Sequence, residues 1–187
     1  MRGGRRRGGE AMSIASSIRP GDDEFASFYG SYVAGVPDGD VTRALARQGE
    51  SFLRLLKDIG EQKAAFAYAP GKWTIKEVIL HMADAERIFA YRVLRMARGD
   101  ATPLASFDEN AYTPMSAAND RPLDTLLGEF AAVRAATLAL LRGLPEEAWT
   151  RRGVASGKEV SVRALAWITT GHALHHERIL RERYLVG

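Results

Sequence analysis

The sequence predicts an all-α protein, a four-helix bundle. Four long stretches repeat their apolar residues with the helical period. Each is bounded by residues that start or stop helices. The segments between them hold little of the strict alternation that marks a strand. The composition agrees: 46% of residues are hydrophobic and 26% charged, which suits one soluble domain with a sizeable core.

The first stretch runs from about Asp40 to Ile59. Val41, Leu45, Phe52, Leu55, Leu56 and Ile59 share one broad face, and Gly60 follows as a stop. The second opens at Thr74, after the turn signal Pro70-Gly71. Thr74-Ile75-Lys76-Glu77 reads as a capping box, in which Thr and Glu each satisfy the other's free backbone donor. Ile75, Val78, Ile79, Met82, Phe89, Val93 and Met96 then form an apolar stripe that ends near Gly99.

The third stretch runs from about Pro122 to Arg142. Proline suits a first helical position, where its missing donor would be unpaired anyway. Leu123, Leu126, Leu127, Phe130, Val133, Leu138 and Leu141 give the core face, and Gly143 and Pro145 end it. The fourth covers about Val162 to Tyr184, with Ser161 as N-cap and Val162, Leu165, Ile168, Ile179 and Leu180 as apolar members.

Two connections stand out. Asp100 to Arg121 holds Pro103, Pro114 and the string Phe107-Asp108-Glu109-Asn110. Connections of this length are usually functional or disordered. Trp149 to Val160, with Gly153 and Gly157, reads as a small hairpin before the last helix.

The net charge of +3 is already carried by residues 1–11, which hold four Arg and one Glu. The rest of the chain is neutral, so the folded body has no basic bias towards nucleic acid. Residues 1–20 read as a disordered basic tail and 21–187 as a single domain. No apolar run is long enough for a membrane span. The chain has no cysteine, which excludes disulfides, thiolate ligands and a cysteine nucleophile and fits a cytoplasmic location.

The histidines carry the chemistry. There are four: His81, His172, His175 and His176. His172 and His176 are four apart and therefore lie one above the other on one helix face. Leu165, Ile168 and Ile179 share that side, which turns both imidazoles towards the bundle interior. His81 lies at the edge of the second helix's apolar face, near Val78, Ala85 and Ile88. Three inward imidazoles from two helices make a three-nitrogen ligand set with positions left open, the arrangement of catalytic metal sites. Neutral imidazole suits zinc, nickel, copper and iron alike. The competing reading is three core histidines, each with its own hydrogen-bond partner. His175 points about 100° away from His176, by the ~3.6-residue turn.

Lys72-Trp73-Thr74-Ile75-Lys76-Glu77-Val78-Ile79-Leu80-His81-Met82-Ala83-Asp84-Ala85-Glu86-Arg87, with Gly171-His172-Ala173-Leu174-His175-His176, resembles the DinB-like superfamily over roughly Asp40 to Tyr184. It is similar above all to that superfamily's YfiT-type metal-dependent hydrolases. The resemblance implies an up-up-down-down bundle with a long crossover, a divalent metal (nickel or zinc) on His81, His172 and His176, and a homodimer. The superfamily also includes thiol-dependent isomerases and S-transferases, so the resemblance extends to a low-molecular-weight thiol as cofactor. In one thiol-dependent branch a Glu replaces the first residue of the helix-four pair. This chain has His172 there and departs from that pattern.

The expected function is therefore that of a metal-dependent hydrolase or thiol transferase acting on a small molecule. The alternative is a non-catalytic metal-binding or stress-related interaction bundle. An enzyme needs an acid or base near the ion, and two carboxylates are candidates. Asp84 lies one turn after His81, although Asp84 and Glu86 would equally pair with Arg87 or lysines at a solvated edge. Glu109, with Asn110, lies in the long connection, which could fold over the metal as a lid. Trp73 reads as a packing anchor and Trp167 as core. Arg87, Arg92, Arg95 and Arg98 read as a solvated face. The sequence contains no nucleotide-binding loop and no serine nucleophile elbow.

Overall fold

A computed structural model of the chain describes residues 14–186. Its helices are α1 (Gly30–Ala34), α2 (Val41–Leu56), α3 (Gly60–Ala64), α4 (Ile75–Ala97), α5 (Glu109–Met115), α6 (Leu123–Arg142) and α7 (Val162–Ile179), the last continued by a π-helical turn, Leu180–Tyr184. A hairpin of β1 (Arg152–Ala155) and β2 (Lys158–Ser161) precedes α7. The helices α2, α4, α6 and α7 form the expected bundle. None of the described helices is long and apolar enough to cross a membrane.

The helix starts follow their caps. Asp40 Oδ1 accepts from the amides of Thr42 and Arg43 at 2.8 and 3.3 Å, so α2 begins at Val41. The Thr74–Glu77 capping box forms in full: Glu77 N donates to Thr74 Oγ1 at 3.1 Å and Thr74 N to Glu77 Oε2 at 2.7 Å. Ser161 Oγ accepts from Ala164 N at 3.0 Å and opens α7. In the hairpin, Ser156 and Gly157 both have positive φ, 54° and 72°. Such a two-residue turn matches the twist of its strands.

The core divides into two clusters, and their membership fixes the helix directions. One holds Phe52 and Leu56 from the end of α2, Ile75 and Ile79 from the start of α4, Leu123 and Phe130 from the start of α6, and Leu180 and Tyr184 after α7. The other holds Val41 and Leu45, Val93 and Met96, Leu141, and Val162 and Leu165, the opposite ends of the same helices. Hence α2 and α7 run one way, and α4 and α6 the other. The order is up-down-down-up, not the up-up-down-down order expected from the family resemblance. The long crossover is present but joins α4 to α6. It must return the chain to the end of the bundle it has just left, which is why these two consecutive helices are parallel.

That crossover is built, not loose. Leu104 pairs with β1: its amide donates to Val154 O at 2.9 Å, and its carbonyl accepts from Ser156 N at 3.0 Å. Arg92 pins it from below, donating to Ala105 O at 2.8 Å and Ser156 Oγ at 3.0 Å. Arg92 is only 2% exposed, so it leaves the solvated row expected for the arginines of α4.

Residues 1–13 of the expected tail lie outside the described residues. Its remainder packs on the body: Ala15 and Ser16 are buried. Arg19 donates to Val33 O and Val36 O at 2.5 and 2.7 Å, and its guanidinium lies 4.4 Å from the Trp167 ring. Composition concealed this, because the arginine is held by backbone carbonyls and an aromatic face rather than by apolar neighbours of its own.

Candidate metal centre

The capping box sets the phase of α4 so that His81 points across to α7, and α7 presents His172 and His176 one turn apart. His81 Nε2 and His176 Nε2 each lie 3.1 Å from His172 Nε2. The three nitrogens all fall within 4.8 Å of one another. They are the group of three metal-capable side chains found among the described residues. Among those residues the rings hydrogen-bond only with each other.

Such an arrangement poses a problem that a cation solves. Each neutral imidazole has one N–H and one lone pair. Three Nε2 atoms facing one another cannot all be satisfied by sharing protons. Zinc–nitrogen distances of about 2.0–2.1 Å place adjacent ligand atoms about 2.9–3.4 Å apart; the two contacts to His172 match at 3.1 Å, while His81 and His176, within 4.8 Å of each other, would draw together on an ion. Burial also keeps the rings neutral, as ligands must be. It pushes His81 down to about 4 and, with the charges of His81 and His175, His176 to about 3. His172 is held well below the usual histidine range by burial first, then by the three other histidines.

Aromatic rings wall the centre. Trp73 lies 4.7 Å from the His81 ring, while Phe89 and Tyr32 meet His172 edge-on at 5.8 and 5.6 Å. Tyr32 also meets His175 at 5.3 Å, and His175 in turn stacks edge-on to His176. Tyr32 reaches the site because α1 lies directly on Gly171. A Cβ built there would stand 2.1 Å from the Tyr32 carbonyl oxygen. Sequence reasoning missed Tyr32. The available signal was Gly171 itself, a glycine inside a helix, which needs a packing reason.

On the other side a cleft of about 240 Å³ opens at His176, between Trp73, Tyr68, Tyr184, Lys72 and Asn110. The crossover thus folds over the centre at the start of α5. Asn110 lines the cleft. The charge of the adjacent Glu109 reaches Tyr32, whose phenol is raised by burial first, then by Glu109 and Tyr29.

The two carboxylates weighed from sequence part company here. Asp84 accepts from Arg87 Nη1 at 2.9 Å, in an ion chain that runs on to Glu129 and Arg121. No hydrogen bond joins it to the histidines among the described residues. Glu109 is exposed at the start of α5, next to Asn110, and likewise has no hydrogen bond to the histidines among the described residues. Glu86, expected at a solvated edge, is buried against Arg134. Trp167 is fully buried, as core.

Fold and site together define a class: helical bundles carrying a histidine centre of the kind that binds a divalent metal. The sequence profile of the DinB superfamily matches residues 44–180, and the chain belongs to that superfamily. A protein of Oceanobacillus iheyensis named putative metal-dependent hydrolase OB0782 is 26% identical over 155 residues, 74% of this chain and 86% of that one. Among solved structures, YfiT from Bacillus subtilis, described as a probable metal-dependent hydrolase with an unusual four-helix bundle topology, matches with a TM-score of 0.69 at 15% identity, over 88% of this chain and 93% of its own. A mycothiol-dependent maleylpyruvate isomerase matches with a TM-score of 0.62 at 17% identity, over 73% of this chain. The chain spans only 58% of that isomerase.

Proposed function

We propose that the protein is a metal-dependent hydrolase of small molecules, with His81, His172 and His176 as the ligands of one divalent ion, zinc or nickel. The observation that carries this reading is the cleft that reaches His176 from solvent. A purely structural ion would be closed off by protein ligands. When bound, a divalent ion held by three neutral imidazoles supplies Lewis acidity, polarising a carbonyl or lowering the pKa of water to about 7. The chain's own residues supply the rest. Trp73, Phe89 and Tyr32 exclude water from the flanks. As the base that takes a proton from the attacking water we assign Glu109, whose charge reaches Tyr32.

The relative in Oceanobacillus supports the hydrolase reading through its name. Thiol transfer is the second reading, because a metal deprotonates a thiol that binds it. It is favoured by the shared fold of the mycothiol-dependent isomerase.

Elemental analysis of untagged protein tests the metal. A stoichiometric divalent ion is expected, and it should be lost in His172→Ala. A screen of esters, amides and thiol adducts on the loaded protein then tests the reaction. Glu109→Gln should lower turnover by about 10²–10⁴-fold with the metal content unchanged. Metal-free protein would overturn the reading. Full activity in Glu109→Gln would remove that residue from the mechanism.

A further inference from the structure

The cleft at His176 contains a cation and a side-chain amide that no other described residue engages. Lys72 is exposed at its rim and forms no ion pair among the described residues. The side-chain amide of Asn110 likewise has no partner there; only its backbone amide is engaged, donating to Asp108 Oδ1 at 2.9 Å. Three other cations of the bundle are paired with carboxylates. Lys76 pairs with Glu61 at 2.6 Å, Arg87 with Asp84 and Glu129, and Arg181 with Glu177. Between the two polar groups and His176 the walls are flat and aromatic: Trp73, Tyr68 and Tyr184. Tyr68 and Tyr184 meet edge to face at 4.8 Å, and Tyr184 Oη is tied to Trp73 O at 2.8 Å, so the aromatic wall is rigid.

We infer that the substrate is a small carboxylate with a flat apolar body. Its anionic end pairs with Lys72 and Asn110, its body lies against Trp73 and Tyr184, and its reacting end reaches His176. The inference rests on the metal-site reading and names that site's substrate class. A volume of about 240 Å³ is below the ~300–1,000 Å³ of pockets for drug-sized ligands, so a compact acid fits and an extended peptide does not. A single ammonium with one amide donor suits a monoanion.

Metal-chelating probes test the inference without knowledge of the reaction. The full chain, loaded with zinc, is titrated calorimetrically with 4-carboxybenzohydroxamate and with 4-methylbenzohydroxamate. The two share a chelating group and differ only at the far end. The carboxylate should bind about fivefold tighter, the effect of a favourable rim ion pair. Lys72→Met should abolish that preference and leave the methyl probe's affinity unchanged, while Lys72→Arg should keep it. Equal affinities in the parent protein, or a preference that survives Lys72→Met, would overturn the inference and leave the metal site standing. A chain that takes up no zinc would overturn both.

Discussion

Gly171 stands in the middle of the most buried helix, directly before a candidate ligand, and what demands it is a backbone carbonyl. No side chain fits where the Tyr32 oxygen would stand 2.1 Å from a Cβ. Gly49 plays a related part: a Cβ there would meet Arg134 Nη1 at 2.8 Å. The two sites differ in what can yield. At Gly49 the neighbour is the end of a side chain, although one held by Glu86, Leu45 O and Gln48, whereas the carbonyl at Tyr32 can move only if α1 moves. Gly171→Ala should therefore destabilise the protein by about 1–3 kcal/mol, the usual range for overpacking. It should also speed amide exchange across residues 30–36, measured by mass spectrometry, more than across α4. Unchanged stability and unchanged exchange would show that α1 does not depend on this contact. The expected side effect is a less shielded His172, since Tyr32 is carried by the same helix.

At the scale of elements, the N-terminal segment is a strap that crosses α7 and is fastened at both ends. Tyr32 on Gly171 is one fastening. The other is Glu24, whose carboxylate accepts from Arg163 Nε at 3.0 and 2.7 Å and from Ser161 Oγ at 2.7 Å. Burial alone would raise the Glu24 carboxyl; the bonds from Arg163, Ser161 and the Gly21 amide outweigh it and hold the group below the usual glutamate value. A depressed carboxyl stabilises the fold above its unfolded pKa and loses that contribution as pH falls through the folded one. Acid should therefore loosen the strap below the ordinary glutamate range. Stability measured by denaturant between pH 6 and pH 3, values chosen to bracket that range, should fall less steeply in Glu24→Gln than in the parent chain. Identical slopes would exclude Glu24 as the fastening.

The strap was invisible in the sequence, because Arg19 and Glu24 bond to groups far along the chain and leave no periodic trace. The four bundle helices were legible: Asp40, Thr74 and Ser161 announce their starts locally, and apolar spacing follows. The histidine triad was half legible. The i,i+4 pair declares itself, but the meeting with His81 depends on how α4 crosses α7. Helix direction was not legible, since the crossover's path is fixed by Leu104 on β1 and by buried Arg92, neither of which looks unusual in the sequence.

Across the whole molecule, the two apolar clusters are parted by a polar layer that touches all four bundle helices. Arg134 of α6 donates from Nε to both oxygens of Glu86 on α4 at 3.0 Å, and from Nη1 to Leu45 O at 2.7 Å and Gln48 Oε1 at 2.8 Å on α2. Gln48 passes the chain on to Glu177 of α7 at 3.1 Å, where Ser51 also donates at 2.6 Å. Glu177 directly follows His176, so this layer fixes α7 against α2 beside the metal centre. Glu86 and Arg134 are 3% and 4% exposed, and a lone charge at that depth is costly. Glu86→Ala should lose about 3–5 kcal/mol, because Arg134 keeps its charge without its partner. Replacing both, as Glu86→Leu with Arg134→Met, should recover most of that loss, since a well-packed apolar pair often matches a buried ion pair. The two variants separate stability from registry. If the layer only stabilises, the double variant regains both denaturant midpoint and zinc affinity. If it sets how α7 meets α4, the midpoint returns while zinc binding stays weakened. We expect the second outcome, because Gln48, whose Nε2 also reaches Ala173 O at 3.4 Å, would lose the Arg134 bond to its Oε1 that orients it.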